Sequence, residues 1–553
     1  MDIILGLDFG THQSKLCMSY MPNNETIFEF VEFNLSDGSK SYFFPSIIQI
    51  NKDQTLRIGS VDYETCETIP IPPPDKPVLP VRPISVLPKE PDQTLPPEPS
   101  KAGSVVVEGS DWLKSLQSIK DAIEKQSKSE NDFKREHKNW EIKCQQIRER
   151  HDEWKRKCSN LNYQLKQWQE KVDSINAKYQ EEYDSWKKHS FDYRVFRYFK
   201  QSAFTTTLPW DDKEISADIV SIWYLTYLLL YARKYVRERF DETFEESVSV
   251  QMGVPSGLDN SVSRMIHYRG QRYLVSARHL MELFQSPEDM CTIGYRDLLD
   301  MTKYAEGNVV EEAEQYGFVI IPEAYAGLQS LTYSRRLTRG NMHLLVDIGG
   351  GTTDISFFTI DESLMPSIHT VTSFHKGLNY ILEHFIAENP DYSMGEAQGL
   401  LLTNTELFNR SIQLYKNELK VTLKSVVDYV VEEFNKELCG TDLKVDALIE
   451  AMIGRPIVYC GGGSVFPKMK IGHSYFTDIR MIDKDTLNIP NLINKDVAPI
   501  YYTILATSYG LSIPAIEEIL PSDIHQLWKT VADNVRNAPL NKKEIIDYNL
   551  SDD

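Results

Sequence analysis

Two short segments of the chain combine acidic, glycine and threonine residues in an order that suits phosphate chemistry. One runs from Asp8 to His12 and the other from Asp347 to Asp354, and each follows an apolar run of strand type. Glycine N–H groups and threonine hydroxyls can cradle phosphate oxygens, while carboxylates can hold Mg²⁺ through its bound waters. The repetition predicts two strand–turn–strand hairpins that face each other across a phosphate-binding cleft.

Two further segments have compositions that allow close backbone approach. The run from Ile457 to Lys468 predicts a strand, a glycine turn and the start of a helix. Its bare backbone could lie flat against a nucleoside or simply form a packing turn. The run from Ala506 to Leu511 contains small residues that would let one helix approach another closely.

From Tyr193 onward the sequence predicts a mixed α/β fold without repeats. Apolar strand-like runs alternate with helical stretches, which is typical of sheets covered by helices. The expected strands run from Ser247 to Val254, Phe318 to Ile321, His343 to Asp347 and Pro456 to Cys460, and the expected helices from Ser216 to Glu238 and Ser411 to Glu437.

The composition is that of a folded protein, since 41% of the 553 residues are hydrophobic and 25% are charged. The longest apolar run, Ile219 to Ala232, is shorter than the roughly 20 residues of a membrane-spanning helix. Strand-like sequence begins at Asp2, so we expect no secretory leader. Seven scattered cysteines without a CxxC pair predict free thiols and favour the cytoplasm. A net charge of −20 disfavours a nucleic-acid partner.

A proline-rich segment is followed by a long helical one. The stretch from Pro70 to Pro99 holds 12 of the 27 prolines, which predicts an extended polyproline II strut. No glycine or proline occurs from Ser110 to Leu208, and this charged stretch predicts a long helix. Residues 70–110 in polyproline II geometry span about 125 Å and 80 helical residues about 120 Å. We therefore expect a strut running out and a helix running back.

Apolar residues recur on this helix at the 3–4 spacing of a coiled coil. Such a seam predicts a partner helix in the same chain or in another, and self-pairing into a homodimer is the simplest version. The polar stretch from Gln126 to Asp132 is where an alternative helical hairpin could turn. Five of the eight tryptophans lie on the seam: Trp112, Trp140, Trp154, Trp168 and Trp186.

Taken in order, the motifs resemble the ATPase domain of the DnaK-type heat-shock chaperones, within the fold shared with actin and sugar kinases. Asp8–Thr11 is similar to the first phosphate motif, Asp347–Asp354 to the second, and Gly461–Lys468 to the adenosine motif. Ile321–Gly327 resembles the first connecting helix of that family. Val195–Lys200 resembles the stretch that carries its catalytic lysine.

The resemblance implies an α/β, two-lobed actin-like ATPase fold interrupted by the proline-rich segment and the coiled-coil helix. It also implies ATP and Mg²⁺ as cofactors, without the chaperone's substrate-binding domain. The expected domains are residues 1–65 as the N-terminal part of the first lobe, 66–110 as the strut, 111–190 as the coiled-coil insertion, 191–335 as the remainder of the first lobe, 336–515 as the second lobe and 516–553 as a tail.

The resemblance further implies a role for each residue of the cleft. Lys200 would neutralise charge on the γ-phosphate, Asp347 would align the attacking water, and Glu323 would assist from the connecting helix. Asp8 and Asp354 would order the water shell of Mg²⁺. The residues expected to hold the nucleotide are Gly10, Thr11, His12, Gly349, Gly350, Gly351, Thr352, Thr353, Gly461, Gly462 and Gly463.

The predicted function is a slow, chaperone-like ATPase switch whose nucleotide-dependent closure controls a coiled-coil arm that binds a protein partner. Two alternatives stay open. One is an actin-like cytomotive filament with the coiled coil as a bundling device, and the other is a nucleotide-binding scaffold without hydrolysis. Steady-state turnover separates the scaffold from the other two, and nucleotide-dependent sedimentation identifies the filament.

Overall fold

Contacts within the computed structural model divide the chain into two units. Met1–Thr68 with Tyr193–Asp553 form the first unit, named the body, and Ile69–Asp192 form the second, named the insertion. The predicted tail, 516–553, lies outside the described residues. The described residues are 1–71, 73–83, 88–101, 112–188, 191–204, 210, 212–255, 260–305, 308–333, 342–360, 366–374, 376–390, 392, 394–437, 455–476 and 478–514.

The bounds of the described elements follow in chain order. The strands are β1 (Ile3–Asp8), β2 (Gln13–Tyr20), β3 (Ile27–Phe30), β4 (Phe33–Asn34), β5 (Lys40–Ser41), β6 (Phe44–Pro45), β7 (Ile47–Ile50), β8 (Leu56–Ile58), β9 (Thr68–Pro70), β10 (Phe191–Tyr193), β11 (Val195–Arg197), β12 (Val248–Val254), β13 (Phe318–Pro322), β14 (Met342–Ile348), β15 (Thr353–Ile360), β16 (Pro366–Phe374), β17 (Pro456–Cys460) and β18 (Asp478–Met481). The α-helices are α1 (Trp112–Lys188), α2 (Phe199–Phe204), α3 (Ala217–Phe240), α4 (Phe244–Ser247), α5 (Asn260–Met281), α6 (Pro287–Thr292), α7 (Tyr295–Met301), α8 (Val309–Gln315), α9 (Glu323–Tyr333), α10 (Leu378–Glu388), α11 (Met394–Thr403), α12 (Asn409–Glu437), α13 (Lys484–Leu487) and α14 (Tyr502–Leu511).

The two large sheets of the body share one topology. Their strand orders are β13-β12-β1-β2-β3, with β6 attached to β2, and β16-β15-β14-β17-β18. In each sheet a three-stranded antiparallel meander is extended by two parallel strands on the other side of its first strand. Each hairpin loop therefore leaves its sheet at the equivalent edge. The predicted two-lobed α/β fold is confirmed.

Two helices connect the lobes at a very close crossing. The helices α9 and α14 pack on each other, and a Cβ on Gly510 would lie 1.8 Å from the carbonyl oxygen of Ala326. Only glycine fits there, because any side chain would collide with backbone. A third hydrophobic cluster, separate from the core of each lobe, lies around both helices and contains Leu345 and Leu505. The expectation of small residues at a close helix approach is confirmed.

The long helix of the insertion is continuous. α1 has 77 residues and no break between Gln126 and Asp132, so the alternative of a helical hairpin turning there is wrong. From Phe133 to Tyr179 the least exposed positions recur every three or four residues, and they are the predicted seam. The polar side chains of the opposite face stay exposed. One stripe of the helix is thus covered.

The proline-rich segment covers this stripe. The indole Nε1 atoms of Trp140, Trp154 and Trp168 donate hydrogen bonds to the carbonyls of Pro96, Pro88 and Pro80, at 2.7, 2.7 and 2.9 Å. The strut numbers fall as the helix numbers rise, so the predicted outward strut and returning helix are confirmed. Within the described residues it is the strut, and not a second helix, that contacts these tryptophans, and pairing of the seam with another chain stays a prediction. A polyproline II strand makes no internal hydrogen bonds, so its carbonyls are free to accept from the indoles.

The spacing of these contacts shows how the strut and the helix stay in step. Contacting tryptophans are 14 residues apart and contacting prolines are eight apart. Fourteen helical residues rise about 21 Å, and eight residues of a polyproline II chain span at most about 25 Å, so eight strut residues are long enough to match each 14-residue interval of the helix. Among the described helices of either unit, none is long and apolar enough to cross a membrane.

Candidate active site

The body contains a cleft of about 660 Å³ at the edge where both hairpin loops emerge. The loops after β1 and β14 line one end of it, together with α2 and the first residue of α9. The turn after β17, helix α11 and helix α14 line the other end. The shared sheet topology places the two loops opposite each other, as the repeated motif predicted.

The two hairpins align residue by residue. Asp8 pairs with Lys15 across the β1–β2 ladder, and Asp347 pairs with Asp354 across the β14–β15 ladder. The Lys15 ammonium lies 2.8 Å from the Asp8 carboxylate. Burial alone would lower the pKa of Lys15, but the charge and hydrogen bond of Asp8 raise it above its usual value. Lys15 is therefore a permanent cation at the floor of the cleft.

Four carboxylates meet at this floor: those of Asp8, Glu323, Asp347 and Asp354 all line the cleft. Burial raises the pKa of Asp347 to about 7, and the nearby charges of Asp354, Glu323 and Asp8 add to the shift. Burial also raises the pKa of Glu323, against the opposing charge of Lys200. The floor thus brings four acidic side chains together with two lysines, and added cationic charge would favour the charged forms of Asp347 and Glu323.

Lys200 lies in α2, directly after β11. Its ammonium is buried, forms an ion pair with Glu323 and lies 5.6 Å from the ring centre of Phe9. The preceding Tyr198 has a φ of 57°, a left-handed conformation that non-glycine residues rarely adopt. The turn at Tyr198 allows the chain to leave β11 and present Lys200 to the cleft within two residues.

The two phosphate-type loops touch each other. A Cβ on Gly350 would lie 2.9 Å from the Cβ of His12, and a Cβ on Gly351 would lie 2.2 Å from the side-chain nitrogen of Gln201. The Nε2 atom of His12 lies 3.0 Å from the side-chain nitrogen of Gln398 in α11. Burial lowers the pKa of His12, with further lowering from Arg197 and Lys15. His12 is thus a neutral contact between the lobes.

The glycine turn after β17 closes the second end of the cleft. Gly461 has a φ of 82°, and a Cβ there would lie 2.1 Å from Oδ1 of Asp347. Two 3₁₀ turns follow where the sequence predicted a helix start. The side chains next to this turn make an apolar wall of the cleft, formed by Val465, Phe466, Ile500, Tyr501 and Ile504.

Most of the predicted site residues lie together, but three do not line the cleft. Thr353 is fully buried and hydrogen bonds to the Lys376 carbonyl and the Tyr415 hydroxyl. Gly463 packs on Ile348, and Gly351 faces Gln201. The predicted residues that do line the cleft are Asp8, Gly10, Thr11, His12, Lys200, Glu323, Asp347, Gly349, Gly350, Thr352, Asp354, Gly461 and Gly462.

Sequence reasoning missed Lys15 and Gln398. Aligning the two hairpins would have found Lys15, because it follows Asp8 at the same spacing at which Asp354 follows Asp347. No local motif marks Gln398, which reaches the cleft only through the packing of α11. Within the described ranges, no group of three or more His, Cys, Asp or Glu side chains could hold a metal ion directly.

No family model matches the chain, and no curated protein matches it. Solved structures do match. The ethanolamine utilization protein EutJ from Carboxydothermus hydrogenoformans is 14% identical over 53% of this chain and 75% of its own, with a TM-score of 0.28. The archaeal actin homolog Ta0583 is 14% identical over 35% of this chain and 55% of its own, with a TM-score of 0.21. At these TM-scores neither match says what this chain binds.

Proposed function

We propose that the body binds ATP with Mg²⁺ and hydrolyses it slowly, as a chaperone-like switch that controls the insertion. The observation that carries this proposal is the floor of the cleft, where two equivalent hairpins, with the neighbouring helices α2 and α9, present four carboxylates, the buried Lys200 and the partly buried Lys15 around facing glycine loops. Phosphoryl transfer to water needs mainly positioning and charge neutralisation, and this set of groups can supply both.

The donor set fits a hydrated magnesium ion with a phosphate chain. Burial is the main cause of the raised pKa values of Asp347 and Glu323, and neighbouring carboxylates add to both shifts. A divalent cation bound nearby would favour the charged forms of both groups. The carboxylates are not grouped for direct ligation, which suits coordination through water. Bound Mg²⁺ would supply charge neutralisation on the phosphates.

The residues of this chain have separable tasks under the proposal. Lys15 and Lys200 neutralise phosphate charge from the first lobe, and Glu323 holds the Lys200 ammonium in place through their ion pair. Asp347 accepts a hydrogen bond from the attacking water and aligns it. Asp8 and Asp354 order the waters of the metal.

The end of the cleft beyond the loops suits a base. The bare turn at Gly461 and Gly462 and the apolar wall beside it offer surfaces on which a planar ring can stack. Val465 stands where the chaperones have an arginine over adenine, so this chain would use dispersion in place of a cation–π contact.

Phosphate release from ATP by the purified full chain tests the proposal. We expect slow turnover that requires Mg²⁺, and sedimentation that does not change with nucleotide. Binding of ATP without any turnover would favour the alternative of a nucleotide-binding scaffold. Nucleotide-dependent pelleting would favour the alternative of a filament. Absence of ATP binding at millimolar concentration would overturn the proposal itself.

A further inference from the structure

A groove lies on the insertion between two of its tryptophan anchors. It has a volume of about 390 Å³ and lies between the strut and the helix, in the interval from Trp140 to Trp154. Thr94, Leu95, Pro96 and Pro97 line one side, and Lys143, Gln146, Ile147 and Arg150 line the other.

The chemistry of the groove is apolar with two charged edges. Leu95 is 49% exposed, and the two prolines have no N–H group to offer a ligand. Lys143 and Arg150 are exposed, and neither makes an ion pair with a described residue. They are two turns of helix apart, or about 10.5 Å along the axis. An apolar floor between two available cations is complementary to an amphipathic anion.

The repeat of the insertion provides an internal comparison. One repeat further along the helix, in the interval between Trp154 and Trp168, the positions of Lys143 and Arg150 are taken by Lys157 and Gln164. Lys157 is paired with Glu153 at 2.7 Å, and Gln164 has no charge. The pair of available cations is therefore a property of one interval and does not follow from the repeat itself.

The distribution of charge along the chain sets this groove apart. The insertion has 22 Lys and Arg against 21 Asp and Glu, whereas the rest of the chain has 38 against 59. An acidic segment of another protein is repelled by the strongly negative body, and this repulsion is absent at the insertion. The acidic body and the available cations of the groove both favour the insertion as the place where an acidic partner binds.

We propose that this groove binds an extended peptide segment of a partner protein in which two carboxylates flank apolar side chains. In an extended polyproline II conformation the chain has three residues per turn and rises about 3.1 Å per residue, so carboxylates three residues apart lie on one face about 9 Å apart, close to the spacing of Lys143 and Arg150. The order acidic, apolar, apolar, acidic leaves two leucine-type side chains between the carboxylates, pointing in different directions, and Ile147 and Leu95 offer apolar surface on the two sides of the groove. This inference rests on the proposed role of the insertion as the partner-binding element.

Fluorescence anisotropy with a dye-labelled peptide tests the groove on the full chain. The probe contains Glu-Leu-Leu-Glu between glycines, and the two comparison peptides contain Gln-Leu-Leu-Gln and Glu-Gly-Gly-Glu. At low salt we expect the probe to bind about fivefold or more tightly than either comparison peptide, since each exposed ion pair and each leucine contributes modestly.

Matched charge reversals locate the binding. Lys143→Glu with Arg150→Glu should weaken the probe about tenfold or more, whereas Lys138→Glu with Arg156→Glu, which makes the same charge change outside the groove, should change it less than about twofold. Equal losses in both variants would overturn the proposal. Equal or tighter binding of a short oligothymidylate, competing with the probe, would show a general polyanion site and would also overturn it.

ATP turnover measured on the same samples separates the two proposals. Unchanged turnover in both charge-reversal variants is expected, because no groove residue lies in the body. Peptide binding without turnover would count against the ATPase and leave the groove standing. Turnover without selective peptide binding would count against the groove and leave the ATPase standing.

Discussion

The two hairpins at the floor of the cleft have the same strand pairing and differ in the charge of the residue at one equivalent position. In each, an aspartate lies near the end of the first strand and faces, across the ladder, the residue seven positions later. That residue is Lys15 in the first hairpin and Asp354 in the second. The duplicated topology provides two equivalent positions, and one holds a cation where the other holds a carboxylate. Under the proposed function, Lys15 would contact the phosphates, whereas Asp354 would join Asp8 in ordering the waters of the metal.

The comparison also explains why the floor is unevenly charged. Asp8 is held by Lys15 at 2.8 Å, so its charge is compensated locally. Asp347 has a second carboxylate, Asp354, at the position of that lysine, and burial first and the charge of Asp354 second raise the pKa of Asp347 to about 7. The first hairpin therefore places a cation across the ladder from its aspartate, whereas the second places a carboxylate there.

The largest expected effect comes from removing the groups that act on the transferred phosphate and on water. Asp347→Ala or Lys200→Ala should slow turnover by about 10²-fold or more and leave ATP binding within about tenfold, because their interactions strengthen in the transition state. Steady-state phosphate release and equilibrium nucleotide binding measure the two quantities. Turnover equal to that of the unmodified chain in either variant would contradict the assigned roles.

A smaller effect separates the two equivalent positions. Lys15→Ala should weaken ATP binding by about tenfold, since a buried charge partner of the phosphates is lost. Asp354→Ala should instead raise the Mg²⁺ concentration needed for half-maximal turnover, also by about tenfold, with less effect on metal-free nucleotide binding. Titrations of ATP and of Mg²⁺ on both variants check this. The same response from both would mean that the charge difference between the hairpins has no functional meaning.

The smallest expected effect is on the stability of the metal-free protein. The pKa of Asp347 lies near 7 in the folded chain and near 4 when unfolded, so between these values the folded state holds more protons and stability falls as pH rises. Asp347→Asn should remove this loss and raise Tm by a few degrees at pH 8, with less gain at pH 5. Lys15→Ala should lower Tm instead. Thermal melts in EDTA that show no gain for Asp347→Asn at pH 8 would contradict the raised pKa of Asp347.

The parts that were predictable from sequence are those where local chemistry leaves a local signature. Asp8 and Asp347 could be found because an aspartate followed by a glycine–threonine turn after an apolar strand is an uncommon combination. Lys15 carries no such mark, since a lysine in a strand is ordinary until the ladder shows what it faces. Thr353 looked like its neighbour Thr352, but the alternation of side chains along a strand turns it into the core.

The insertion shows a different limit of sequence reasoning. The seam was predictable because the 3–4 spacing marks which face of a helix is covered. What covers it was not, because a helix and a polyproline strand both bury a row of tryptophans. The deciding feature is that the 14-residue repeat of Trp140, Trp154 and Trp168 matches the eight-residue repeat of Pro96, Pro88 and Pro80. The two repeats lie in separate segments of the chain, so neither segment shows the match by itself.

Calorimetric titration of ATP into the full chain, with and without Mg²⁺, tests the central claim most directly. If Lys15 contacts the phosphates and the carboxylates of the floor hold Mg²⁺ through its waters, binding should show one site per chain and should tighten by about tenfold or more with Mg²⁺. Asp354→Asn should bring the two affinities together, because the carboxylate that needs the metal is gone. Absence of ATP binding, or equal affinity with and without Mg²⁺ in the unmodified chain, would contradict the account.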